Sequence, residues 1–280
     1  MDRPPPRKIV VAHSPDSDDA FMFYGLATQK LRSAVVSFEH VLQDIETLNQ
    51  AAQEGRYDMT AISYHAYPYV AEHYVLTSSG SSVGDGYGPL VISPRPCGIE
   101  ELKGKTIAVP GARTTAYLAL RLLLPDFQPL FVPFDRIFEA VENGSAQGGL
   151  IIHEGQLNFD RRGVHRVVDL GRWWKEKYGL PLPLGANAIR RSLEPEIARE
   201  CCVMLRKSIE YALANREEAL TYAMQFARGL DSGLTEKFVG MYVNGHTLHA
   251  GPDVQEAAQK LLDLGHQAGL IPRRVMVEFV

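Results

Sequence analysis

Short apolar runs alternate with stretches of helical periodicity along most of the chain. Residues 8–14 (KIVVAHS) form one such run, and 18–31 carry apolar residues at helix spacing. Residues 34–42 read as a strand, 44–55 as a helix closed by Gly55, and 57–63 (YDMTAIS) as a third strand. An apolar run bounded by turn formers predicts a buried strand; recurrence every three or four residues predicts a helix. Strand and helix in strict alternation predict a mainly parallel sheet covered on both faces.

The alternation breaks at 78–95. Residues 78–88 (SSGSSVGDGYG) read as a flexible loop. Gly84, Gly86 and Gly88 look like a dinucleotide fingerprint, but Pro89 and a strand at 88–94 follow where that motif needs a helix. A Pro-rich passage then opens a second series, with strands expected at 105–111, 129–134, 148–154 and 166–171. Helices are expected at 114–124 and at 135–144, the latter with Asp135 as N-cap and Gly144 as its stop. Residues 180–190 (LPLPLGANAIR) read as extended, because each proline disfavours helix at the residue before it. Helices fill the rest: 195–214, 215–228 with a capping box from Asn215 and Glu218, and 253–270.

A chain that crosses over near 89–95 and returns near 181–191 makes two α/β lobes with a two-strand hinge. The expected division is a larger lobe from 1–93 and 188–280, and a smaller lobe from 94–187. Ligands in such folds sit in the cleft, at the carboxyl ends of the strands.

Composition then excludes several classes. The 280 residues suffice for two such lobes, and the formal net charge of −4 comes without a basic block. Neither a nucleic acid nor an anionic membrane surface is an expected partner. The start, MDRPPPRKIVVAHS, lacks the apolar core of a signal peptide, and no apolar stretch approaches the ~18 residues of a membrane span. The cysteines, Cys97, Cys201 and Cys202, are odd in number and fit no CxxC pattern. They read as buried thiols in a reducing compartment, so a cytoplasmic location is expected. A homodimer is left open.

The strand ends hold the candidate chemistry. After 8–14 come Ser14, Asp16, Ser17 and Asp18; after 57–63 come Ser63 and Tyr64. After 105–111 come Arg113, Thr114 and Thr115, and after 148–152 come His153 and Glu154. Free N–H groups and hydroxyls at strand-to-helix turns bind anions, so a small carboxylate suits Thr114–Thr115. The plainer reading of Ser63 and Thr114 is a helix cap, and of Arg113 a surface charge. Asp16, Asp18 and Asp19 at a helix start complement its dipole; the sharper reading turns Asp16 or Asp18 into the cleft. Trp173 and Trp174 could wall an aromatic ligand or pack at the hinge.

His153 admits three readings. HEGQL is not HExxH, and no His or Cys lies at ligand spacing, so metal is not expected. Without GxSxG or a cysteine at a strand end, a nucleophile triad is not expected either. General base, ligand-binding donor and structural histidine remain. Glu154, next along a strand, is expected to face away from the cleft.

Several segments carry a family resemblance: SPDSDDAFMFYGL, LQDIETLNQAAQEGRYDMTAISYHAY, GPLVIS, VPGARTTAYL, GGLIIHEGQ, VVDLGRWWKEKYGLPLPLGA and YVNGHTL. From about residue 8 to about 250 the chain resembles the 1,4-dihydroxy-6-naphthoate synthases of the futalosine route to menaquinone. The resemblance implies a type II periplasmic-binding-protein-like fold. It implies a cofactor-free carbon–carbon lyase that cleaves cyclic dehypoxanthine futalosine, releasing a sugar-derived three-carbon fragment. It implies His153 as general base, with Thr114, Thr115 and Ser63 lining the pocket.

One departure stands out: the family's first turn reads Ser-Pro-Cys-Pro-Asn-Asp, where this chain has Ser14-Pro15-Asp16-Ser17-Asp18-Asp19. Added negative charge beside an anionic substrate is unfavourable unless the carboxylates are paired or turned away. The alternatives are a chorismate-dehydratase-like enzyme of the same pathway and a solute-binding protein for a small carboxylate.

Overall fold

The computed structural model describes residues 5–280. Its first five strands, β1 (Arg7–His13), β2 (Val36–Leu42), β3 (Met59–Ser63), β4 (Tyr74–Leu76) and β5 (Ser82–Gly84), belong to one sheet. The next five, β6 (Leu90–Ser93), β7 (Thr106–Val109), β8 (Gln128–Phe131), β9 (Gly148–Ile151) and β10 (His165–Asp169), form a second. The last, β11 (Leu182–Arg190), returns to the first sheet and pairs with β3, β4 and β5. The strand orders are β2-β1-β3-β11-β4, with β5 on β11, and β10-β6-β9-β7-β8.

The expected α/β architecture of two sheets is present. β1 runs parallel to β2 and β3, and β7 to β8 and β9. The antiparallel ladders belong to β6 and β11, the first strand laid down after each crossing. The crossings fall between Gly84 and Leu90 and between Tyr178 and Leu182. Boundaries at 93/94 and 187/188 would detach β6 from its sheet and cut β11 in two. The linker is the glycine-rich passage ahead of Pro89, not the proline-rich one after it.

Local chemistry explains most helices. Asp44 accepts from the N–H groups of Glu46 and Thr47 and starts the helix Ile45–Gln53. Asp169 does the same for Leu170–Tyr178, which Gly179 ends in the left-handed conformation that glycine adopts without steric cost. Two expected caps fail. Asp135 lies inside a 3₁₀ turn, Phe134–Arg136, that precedes the helix Ile137–Glu142. Asn215 turns its amide back to the carbonyl of Tyr211, and Glu218 takes Lys30 and the Tyr24 hydroxyl instead of closing a box. The helices Leu170–Tyr178 and Ser232–Tyr242 and the strands β4 and β5 have no counterpart in the periodicity reading.

One core joins the lobes. Ile62, Tyr64 and Tyr67 of the first lobe pack in the same buried cluster as Leu118, Leu120 and Trp174. A second cluster holds Phe21 and Phe23 against Leu205 and Ile209 of the helix Pro195–Ala214, beneath the first sheet. Trp174 is fully buried and Trp173 half-buried; both pack around Tyr178 rather than against the cleft. Cys201 is buried, Cys97 and Cys202 are half-buried, and all three are free thiols. No helix among the described residues is long and apolar enough to cross a membrane.

Candidate active site

A cavity of about 120 Å³ lies where the two sheets face each other. Ser14, Asp16, Asp18, Ser63, Thr114, Thr115 and His153 all line it, so seven of the nine residues singled out by sequence converge. Tyr64 and Arg113 lie elsewhere. Tyr64 is fully buried, with its hydroxyl 3.0 Å from Ser81 Oγ. It opens the 3₁₀ turn Tyr64–Ala66 just after β3, and its ring turns into the core. Arg113 lays its guanidinium 3.9 Å from the Tyr69 ring centroid, on the outer side of its turn.

The first turn is built around a misplaced cap. Asp16 occupies the N-cap of the helix Ser17–Ala27 but makes no side-chain cap bond. Asp19 takes the structural work instead, accepting from the Ser14 N–H at 2.8 Å. That frees the Asp16 carboxylate, 1% exposed, to face the second lobe. Its Oδ2 accepts from Ser14 Oγ at 2.6 Å and lies 2.7 Å from His153 Nδ1; Oδ1 lies 2.8 Å from Arg228. Burial opposes its charge, but His153, Arg228 and the Ser14 hydroxyl outweigh burial and bring its pKa to about 2. Asp18 shifts the other way: burial, then Asp19, Asp16 and Glu154, make it hold its proton more tightly. The extra carboxylates of this turn are therefore one paired and one with suppressed charge.

The threonine turn follows the ordinary rules. Thr114 caps the helix Thr115–Leu123 by accepting from the Tyr117 N–H at 3.2 Å. Thr115 donates to the Leu184 carbonyl at 2.6 Å and accepts from the His65 N–H at 3.2 Å, which docks the turn on the hinge strand β11. Ser63 is fixed opposite by Asn49, whose amide spans the Ser63 N–H at 2.8 Å and hydroxyl at 3.0 Å.

The histidine turn departs from them. β9 stops at Ile151, and His153 opens a 3₁₀ turn, His153–Leu157, with φ +60. The alternation expected of a strand no longer applies, so Glu154 does not face away. It is buried and accepts from Ser17 Oγ of the other lobe at 3.2 Å. His153 packs edge-on against Phe134, 4.8 Å between centroids. Burial alone would lower its pKa; Asp16, then Glu154 and Asp18, more than reverse this and raise it to about 9. Because a carboxylate only accepts, the proton of the neutral ring stays on Nδ1 and Nε2 becomes the basic atom. That Nε2 is buried and has no hydrogen-bond partner among the described residues.

Sequence reasoning missed Gln156, Asn187, Tyr242 and Arg228. Gln156 accepts from the Tyr242 hydroxyl at 2.8 Å across the cleft, and both line the cavity. Asn187 lines it too, and its Oδ1 has no partner among the described residues. A buried Asn in the otherwise apolar hinge segment was a readable signal. Arg228, at the end of a helical pattern, gave none. Among the described residues no group of three or more His, Cys, Asp or Glu side chains is arranged to hold a metal.

Two α/β lobes with a cleft and a two-strand hinge define a type II periplasmic-binding-protein-like fold. The alkanesulfonate-binding protein SsuA from Xanthomonas axonopodis pv. citri shares it at TM-score 0.74 and 15% identity, over 98% of each chain. A more similar structure is that of protein AF1704 from Archaeoglobus fulgidus, with TM-score 0.91 and 47% identity over 94% of this chain and 98% of that one. Residues 9–267 match the family described as Menaquinone biosynthesis, and the chain belongs to that family. Its relatives include the 1,4-dihydroxy-6-naphtoate synthases of Thermus thermophilus, 42% identical over 92% of this chain and 93% of that protein, and of Streptomyces coelicolor, 34% identical over 94% of each.

Proposed function

We propose that the protein is a 1,4-dihydroxy-6-naphthoate synthase, a carbon–carbon lyase acting on cyclic dehypoxanthine futalosine, with His153 as its general base. The observation that carries the assignment of the base is the Asp16–His153 contact of 2.7 Å beside the cavity. It orients the ring and leaves Nε2 free for a substrate proton. Cleavage of this kind needs a proton removed, and the electron pair of the broken bond taken up by the ring that becomes the naphthoate. The apolar part of the pocket wall, Met22, Ile62 and Phe238 among it, suits that ring. The Ser63 hydroxyl, which accepts from Asn49 and keeps its proton, can donate to the carboxylate of that ring beside the start of the threonine-turn helix.

Three free thiols accord with a reducing cytoplasm as the place of action. A cavity of this size holds only a few waters, so the lobes part to admit substrate. The Asp16–His153 contact then re-forms on closure.

Purified protein incubated with cyclic dehypoxanthine futalosine should release the dihydroxynaphthoate and a three-carbon fragment in equal amounts. Chorismate serves as the control substrate. Turnover of chorismate, or tight binding with no product from either compound, overturns the assignment. If His153 is the base, kcat should rise with pH toward the histidine's pKa of about 9.

A further inference from the structure

Asp16 faces two basic groups, one on each oxygen, the Arg228 contact being an ion pair without hydrogen-bond geometry. His153 Nδ1 lies 2.7 Å from Oδ2, and the Arg228 guanidinium lies 2.8 Å from Oδ1. Arg228 belongs to the loop after the 3₁₀ turn Met224–Phe226, far from the histidine in sequence. It also reaches the second lobe directly, with its guanidinium 4.4 Å from the Phe134 ring centroid, and Phe134 is the ring against which His153 packs. Arg228 further donates to the Pro15 carbonyl at 3.3 Å.

The backbone marks the same two residues. Among the described residues only three that are not glycine have positive φ: Gln29, His153 and Arg228. Gln29 lies just past the helix Ser17–Ala27, where a left-handed residue is common. The other two converge on one carboxylate. Such conformations persist where the surroundings over-determine them, and they cluster at functional sites. The other titratable groups around the pair are carboxyls pushed toward their neutral form by burial, Asp18 and Asp19 on the first helix and Glu154 on the histidine turn, and His13 at the end of β1, which burial also keeps from charging. Asp135 and Arg136 on the Phe134 turn are exposed, and Arg136 is engaged by Glu139. Tyr242, on the helix Ser232–Tyr242, is bonded to Gln156. Arg228 is thus a cation that offsets the Asp16 charge, and it does so at the rim, with a side chain 32% exposed.

We propose that Arg228 is a positioning residue for His153: its guanidinium shares the Asp16 carboxylate, so that Asp16 orients the imidazole while exerting only part of its charge on it. An unshared buried carboxylate would hold the imidazolium still more tightly and confine the free base to higher pH. A carboxylate removed altogether would leave the ring without a fixed tautomer. Ser14 Oγ holds Asp16 in place independently, so loss of Arg228 removes charge without releasing the carboxylate. The proposal rests on His153 being the base.

The test is the pH dependence of kcat and KM for the wild type, Arg228→Gln, Arg228→Lys and His153→Gln. In Arg228→Gln the acidic limb of kcat should move up by about one pH unit, with kcat at pH 7 down about tenfold and KM within about threefold. Arg228→Lys, which keeps the charge, should return the limb to within a few tenths of a unit of wild type. A limb in Arg228→Gln that stays put or moves down overturns the proposal. So does a change confined to KM, which would make Arg228 only a latch between lobes. Turnover surviving in His153→Gln instead overturns the base assignment, whatever Arg228 does.

Discussion

The second sheet ends in two turns that face the same cavity and obey different rules. After β7 the chain makes a capped helix start: Thr114 bonds the Tyr117 N–H, and the helix runs on. After β9 it stops early, turns His153 into a left-handed conformation and forms a 3₁₀ turn. The threonine turn caps its own helix and adds bonds to the hinge strand, to His65 and to Glu46. The histidine turn satisfies itself across the cleft: His153 meets Asp16, Glu154 meets Ser17, and Gln156 meets Tyr242. A turn that completes its bonding only against the other lobe is competent only when the lobes close. Under the proposed function the regular turn binds and the irregular one acts, and it acts only in the closed form.

The largest test of this division is His153→Gln. It should lower kcat by about 10³ while substrate or product affinity changes less than about threefold. Isothermal titration with the naphthoate beside steady-state kinetics separates the two effects. Equal losses in kcat and affinity would erase the distinction between an acting turn and a binding one.

The histidine turn should also show itself in stability. The folded pKa of His153 lies above its unfolded value, so the protonated ring stabilises the fold. That contribution is complete below about pH 6.5 and is lost as pH rises through about 9. It should be on the order of 3 kcal/mol. Melting temperature should therefore fall between pH 6.5 and 9 in the wild type, and this slope should flatten in His153→Gln. An unchanged slope in the variant would place the alkaline loss elsewhere.

The threonine turn should respond more weakly and in a different parameter. Thr114→Val removes the cap, at a cost of about 1 kcal/mol, and one hydroxyl from the pocket. KM should rise about tenfold with kcat within about threefold. A kcat loss comparable to that of His153→Gln would mean that the regular turn shares the chemistry.

The same contrast explains what was legible in the sequence. Strand ends at 14, 63, 114–115 and 153 could be read because periodicity and turn residues are local, and all four converge on the cavity. Thr114 was readable as a cap because it serves its own helix. Glu154 was misread because alternation was carried three residues past the end of β9 at Ile151. Asp16 could be read as a helix-start carboxylate complementing the dipole, whereas its partners His153 and Arg228 lie far away in the chain. Arg228 depends on a carboxylate more than two hundred residues distant and on a backbone conformation that residue type does not favour. Its role is a product of lobe closure, which no local pattern encodes. The boundary shift has a similar cause: prolines mark a break in structure, while the sheet to which β6 belongs is decided by its partners β9 and β10.

The smallest effect should come from Glu154→Gln, and it sharpens the comparison most finely because it lies within the irregular turn. Glu154 is buried, its carboxyl pushed toward the protonated form first by burial and then by Asp16. Glutamine keeps an acceptor for Ser17 Oγ and removes only the charge. Since Glu154 is one of the groups that raise the His153 pKa, the acidic limb of kcat should move down by a few tenths of a pH unit. The maximal rate should stay within about twofold, and the melting temperature at pH 8 should hold or rise slightly, because a buried charge without a cation of its own is gone. A pH–rate series with a melting curve at each point reads all three. A large drop in kcat would make Glu154 part of the chemistry. The expected small shift would show that the turn's contacts are graded: one carries the proton, while the others hold the lobes together around it.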